Sequence, residues 1–167
     1  MRQLEVFFDY ACPYCRQGHL YLEELKASMA DIEILWRPCE AHPRPDRYGP
    51  HSDLCIQGMF YAQNQGVDLW MYHRRMYEAA FADTVDIENP MALAQCVHGL
   101  LEPKAFLAAL QQGRYTKQLQ EANDYAYKQS GVWVVPAFRM GAGRLDAAEN
   151  IGVTKPELQR FLLGGTQ

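Results

Sequence analysis

The chain has 167 residues, 49% of them hydrophobic and 22% charged, with a formal net charge of −4. That length supports one domain with its own core and no metal or disulfide staples. The acidic balance and the lack of a clustered basic face exclude nucleic acid or an anionic membrane as the expected main partner, and no apolar run approaches membrane-spanning length.

The opening residues, MRQLEVFFDY, are charged early and carry no apolar core or small-residue cleavage site. They do not read as a signal peptide, so the expected location is a reducing cytoplasm. Five cysteines at irregular spacings then argue against a structural disulfide framework. A cysteine pair in such a chain is expected to be reactive, metal-bound or simply buried.

In chain order, Leu4 to Phe8 is a short β-favouring apolar run, the first strand. From Pro13 to Met29 the period changes: Gly18, Leu22, Leu25 and Met29 recur at helical spacing. Pro13 suits the first helical position, which puts Cys12 at the N-cap. Ile32 to Trp36 alternates as a second strand, and Arg37-Pro38 ends it. Strand, helix, strand requires a crossover and therefore a parallel pair.

The stretch 38–50, PCEAHPRPDRYGP, holds four of the nine prolines and reads as an irregular connection. A block of helices follows. Leu54, Gly58 and Tyr61 mark one, stopped by Gly66; Asp68 caps the next, whose stripe is Leu69, Tyr72, Met76 and Ala80. Asn89-Pro90 starts another that should end at Gly99, and Pro103 starts a short one ending at Gly113. Tyr115, Leu119, Ala122 and Ala126 predict a last long helix closed by Ser130-Gly131. Tyr61, Trp70, Tyr72, Tyr77 and Phe81 are assigned to the core of this helical block.

Strands return at Ala137–Met140 and Arg144–Ala147, around a three-residue loop Gly141-Ala142-Gly143. Thr154 and Glu157 form a capping box ahead of Leu158, Phe161 and Leu162, and Gly164 stops this final helix. The whole reads βαβ, helices, then ββα: an α/β class with a helical insertion.

Cys12-x-x-Cys15 (CPYC) is the stretch that carries chemistry. A thiol at an N-cap faces the unpaired N–H groups of the first turn and the positive end of the helix dipole, and both favour the thiolate. Cys12 is the expected nucleophile, with Cys15 beneath it within disulfide reach. Arg16 and His19 could add positive charge or point into solvent. Two other readings stay open: a zinc site of Cys12, Cys15, Cys39 and His42, and an accidental buried pair. Further on, in GVWVVPAF (131–138), Pro136 sits where a strand should begin, as either a cis-proline or an edge-strand proline.

CPYC at a strand-to-helix junction, the helical insertion after βαβ, and VVPAF before ββα together resemble the DsbA-like branch of the thioredoxin superfamily, over essentially the whole chain. Asp9, three residues before Cys12, is similar to the cytoplasmic FrnE-type members and the related 2-hydroxychromene-2-carboxylate isomerases. The resemblance implies a thioredoxin core over about 1–48 and 131–167, with a helical insertion over about 50–130. It implies dithiol–disulfide exchange, with Cys12 attacking, Cys15 resolving, Pro13 and Tyr14 between them, Pro136 as a cis-proline packed on the pair, and Val135 offering its backbone to an extended substrate. The substrate would be a protein or small-molecule thiol or disulfide, with no cofactor beyond the thiol pair and glutathione as a candidate co-substrate. Loss of the first cysteine marks the isomerase relatives, so a retained pair favours redox exchange over glutathione-dependent isomerisation.

Many thioredoxin-fold enzymes place a buried acid where this chain has Val6. Proton transfer to Cys15 should then use water, Glu5 or another group. Cys55 and Cys96 are expected as buried helix cysteines, and Cys39, following a proline in the irregular connection, is left open: it could be exposed as a third redox thiol.

Overall fold

Residues 1–164 are described by a computed structural model. The elements in order are β1 (Arg2–Phe8), α1 (Pro13–Leu25) with a 3₁₀ turn (Lys26–Met29), β2 (Ile32–Pro38), α2 (Asp53–Asn64), α3 (Leu69–Phe81), α4 (Pro90–Cys96), α5 (Pro103–Gln111), α6 (Thr116–Asp124) with a π turn (Tyr125–Gln129), β3 (Ala137–Met140), β4 (Gly143–Asp146) and α7 (Lys155–Leu162). The chain divides into two units. One contains Met1–Ala41 and the residues from Tyr125 onward, and the other is His42–Asp124.

The first unit is a mixed sheet in the order β2-β1-β3-β4 with helices α1 and α7. β1 lies parallel to β2, in a register from Arg2 opposite Ile32 to Phe8 opposite Pro38, and antiparallel to β3, with Val6 opposite Phe138. The expected crossover is therefore present. Leu4, Phe7, Leu22, Phe138 and Leu158 are fully buried here. Each such side chain contributes about 1.5–3 kcal/mol relative to exposure. α7 begins on the expected capping box: Glu157 N–H donates to Thr154 Oγ1 at 3.3 Å, and Thr154 N–H donates to Glu157 Oε2 at 2.8 Å.

The second unit is all helical. Asp68 caps α3 by accepting the Trp70 N–H at 3.0 Å, and Asn89 caps α4. Its core holds Ile56, Met59, Tyr72, Met76, Leu93 and Phe106. Gly58 is required by proximity, because a Cβ there would stand 2.7 Å from the Phe106 ring. Of the assigned aromatics, Tyr61, Tyr72 and Tyr77 are buried, whereas Trp70 and Phe81 are half-buried.

Several expectations need correction. α4 ends at Cys96 rather than Gly99, since residues 97–100 close as a turn with Leu100 N–H on Val97 O at 2.9 Å. The last long helix does close at Ser130-Gly131 as expected, but its α-helical part stops at Asp124 and it continues as the π turn Tyr125–Gln129, where Ser130 N–H reaches back to Tyr125 O. The β3–β4 loop has two residues, Gly141-Ala142, because Gly143 pairs with Met140; Gly141, at φ 57°, supplies the left-handed position such a turn needs. The peptide bonds preceding Pro45, Pro50 and Pro136 are cis.

Candidate active site

β1 runs out at Phe8, and the chain turns through Asp9-Tyr10-Ala11 into α1. The turn is closed by the Cys12 N–H on Asp9 O at 3.1 Å. Cys12 is the N-cap of α1, in extended conformation at φ −97° and ψ 120°, and its Sγ accepts the Cys15 N–H at 3.3 Å. Pro13 occupies the first turn, where a missing N–H costs nothing. This is the position read from the sequence, and it aims the thiol at unpaired helix donors.

The two thiols stand in unlike environments. Cys12 is half-buried and Cys15 is 2% exposed. The Cys12 thiol is held below its ordinary value, first by the hydrogen bond with the Cys15 thiol and then by the backbone N–H groups of Cys15 and Tyr14; burial and the Asp9 charge oppose this. Burial pushes the Cys15 thiol well up, and the neighbouring Cys12 adds to the effect. The backbone N–H of Asp9 donates to Cys15 Sγ at 3.4 Å. One thiol is thus poised to ionise while the other keeps its proton.

Pro136 is buried beside this pair, after its cis bond, and Val135 O lies 3.9 Å from Cys12 Sγ, where it accepts the thiol. Gly18 on α1 faces Pro136: a Cβ there would sit 3.4 Å from Pro136 Cγ. Tyr14 turns away from the thiols and donates its hydroxyl to Asn150 O at 2.9 Å. Its ring packs on Gly152, at φ 86°, where a Cβ would come within 3.2 Å of the Tyr14 side chain. All six expected site residues, Cys12, Pro13, Tyr14, Cys15, Val135 and Pro136, lie within the first unit.

Other expectations change. Cys39 is fully buried, because it extends β2 by one residue, with its N–H on Phe8 O at 2.8 Å. Burial pushes its thiol up to about 12. Tyr127 lies beside it, and the Tyr127 hydroxyl donates to Glu40 O at 2.6 Å. Cys55 is buried as expected, but Cys96 at the end of α4 is only half-buried. His19 packs toward Trp36 and Glu23, 3.3 Å from the Glu23 carboxylate. Glu5 is engaged by Arg37 at 2.9 Å and by the Tyr125 hydroxyl, which ties it to the strand surface. His42 pairs with Asp46 at 3.0 Å within its own loop. Among the described residues, no three His, Cys, Asp or Glu side chains are grouped to hold a metal ion, so the four-residue zinc set is not assembled.

Tyr127 and the Asn150–Gly152 turn carry no sequence signal for a place near the thiols.

A family model described as the DSBA-like thioredoxin domain matches residues 3–159. The chain belongs to that family. It is 24% identical to the uncharacterized protein YwbO of Bacillus subtilis, over 83% of this chain and 86% of the relative. Among solved structures it is similar to a protein described as a probable DsbA oxidoreductase from Streptomyces coelicolor, with a TM-score of 0.80 and 15% identity over 100% of this chain and 92% of the other. It is also similar to DsbA of Xylella fastidiosa, with a TM-score of 0.70 and 22% identity over 98% and 85%. Among the described residues, the four-stranded mixed sheet and seven α-helices make a DsbA- and thioredoxin-like fold.

Proposed function

We propose that this DSBA-like protein is a cytoplasmic thiol–disulfide oxidoreductase that works through the Cys12–Cys15 pair. The observation that carries the reading is the asymmetry of the pair: Cys12 at the helix N-cap, accessible and with its thiol held low, and Cys15 buried with its thiol pushed up.

The reaction follows from that asymmetry. Cys12 thiolate attacks one sulfur of a substrate disulfide, and the other substrate sulfur leaves as a thiolate that takes a proton from water. Cys15 then loses its proton and attacks Cys12 Sγ, closing the Cys12–Cys15 disulfide and releasing the second substrate thiol. Two electrons have passed from the pair to the substrate, and a thiol reductant such as glutathione restores them. Run backwards, the same steps oxidise a dithiol. Val135 and Pro136 beside Cys12 suit an extended peptide lying along their backbone. Retention of a buried resolving thiol under Cys12 favours this exchange over glutathione-dependent isomerisation.

Cys12→Ser is expected to abolish insulin-disulfide reduction, while Cys15→Ser should accumulate mixed disulfides through Cys12. Full activity in the Cys12 variant would rule the mechanism out.

A further inference from the structure

Asp9 contacts both cysteines of the pair through its backbone. Its backbone N–H touches Cys15 Sγ at 3.4 Å, and its carbonyl holds the Cys12 N–H at 3.1 Å. Its side chain is 3% exposed, with Oδ1 accepting the Ala11 N–H at 2.8 Å and Oδ2 accepting the Ala41 N–H at 2.7 Å. Two donors, one on each oxygen, match the acceptor-only carboxylate. The carboxylate is thereby fixed in a poorly solvated site, where a charge acts over several ångströms with little screening.

Charged and ionisable neighbours come from every element around the pair. α1 supplies the thiols themselves; Cys39 extends β2, and Tyr127 lies in the π turn after α6. Cys39 keeps its proton, with its thiol pushed up to about 12, and burial raises the Tyr127 phenol further. Asp9 acts as a negative charge on all four groups, opposing ionisation of each.

We propose that Asp9 is a positioning residue whose buried carboxylate biases the Cys12–Cys15 couple toward the disulfide, making it a more reducing pair. The inference rests on the redox reading of that pair. Reduction of the disulfide takes up two electrons and, with Cys12 ionised, one proton on Cys15. The disulfide carries no charge and the reduced pair carries one, so a fixed negative neighbour penalises the reduced form alone. The helix N-terminus and the Cys15 hydrogen bond pull toward thiolate, and Asp9 holds that pull back.

Asp9→Asn removes the charge at similar size but sets its NH2 against one of the two backbone donors, whereas Asp9→Ser removes the charge and keeps a short acceptor for the Ala11 N–H. In both, the Cys12 titration followed by thiolate absorbance should move about one pH unit lower. Equilibration with reduced and oxidised glutathione should shift roughly tenfold toward the dithiol, about 30 mV. A merely structural role for Asp9 would not lower the Cys12 midpoint. In the reduced wild-type protein, the Asp9 carboxyl-carbon resonance should move across the Cys12 ionisation. An unchanged or raised midpoint in both variants, or a resonance indifferent to Cys12, would overturn the proposal. A wild-type pair that forms no reversible disulfide with glutathione removes the proposed function and this inference together, whereas a reversible pair that ignores Asp9 removes only the inference.

Discussion

The two units differ in how they group their ionisable side chains, although the helical unit also buries Cys55 and His73. The first gathers Asp9, Cys15 and Cys39 into the interior beside Cys12, with the Tyr127 hydroxyl near Cys39 and bonded to Glu40 O. The helical unit places its main ion network close to solvent. Arg44 meets Glu88 at 2.8 Å, and His51 sets one ring nitrogen against Glu88 at 2.9 Å and the other against Asp46 O at 2.6 Å. Buried groups shift one another strongly because water cannot intervene, while exposed pairs contribute little. The first unit's interior is therefore organised for chemistry at a cost in stability at high pH, and the second unit's interior is organised for packing.

Substitutions can break this contrast. The largest expected effect on stability is in the helical unit: Gly58→Ala drives a methyl into the Phe106 ring and should destabilise by about 1–3 kcal/mol, measured by urea unfolding. The Cys12 titration of the folded variant should stay unchanged. A shifted titration would show that helical packing tunes the thiol, contrary to the division drawn above.

The next effect is alkaline. A thiol whose folded value is raised contributes stability that is complete below its ordinary value of 9.0 and is lost as pH rises toward its folded value, about 12 for Cys39. Unfolding midpoints should therefore fall from about pH 9 upward, and Cys39→Ala should make that decline shallower. An equally steep decline in the variant would assign the loss to other groups.

The smallest effect is at the half-buried His51–Glu88 network. Both ring nitrogens of His51 face acceptors, and the hydrogen bonds with Glu88 and Asp46 O raise its value above the ordinary 6.5. Its contribution is present below 6.5 and fades as pH rises through the raised value. Glu88→Gln should flatten that slight dependence and shift the unfolding midpoint less than Gly58→Ala does. A larger shift would make the network a structural element comparable to the core.

Local signals were sufficient wherever neighbouring residues decide the outcome. Pro13 after Cys12, Asp68, Asn89-Pro90, and Thr154 with Glu157 each satisfy their own helix end, so these caps were legible without a fold. Where helices stop was less legible. α4 ends at Cys96 and closes through a turn before Gly99, while α6 changes from α to π geometry at Tyr125 before its expected end.

By itself, the sequence determined the order βαβ, helices, ββα, and the placement of Cys12 at a helix N-cap, because capping and period are encoded within a few residues. Only the tertiary structure decided what surrounds the thiols. Cys39, whose exposure the sequence left open, is buried because it extends β2 past Pro38 with its N–H on Phe8 O; Glu5 is tied to Arg37 and Tyr125. Asp9 becomes a fixed charge only when Ala41, far along the chain, brings its N–H to the carboxylate. Burial and long-range donors set the electrostatics of a thiol pair, and neither is written in the residues that flank it.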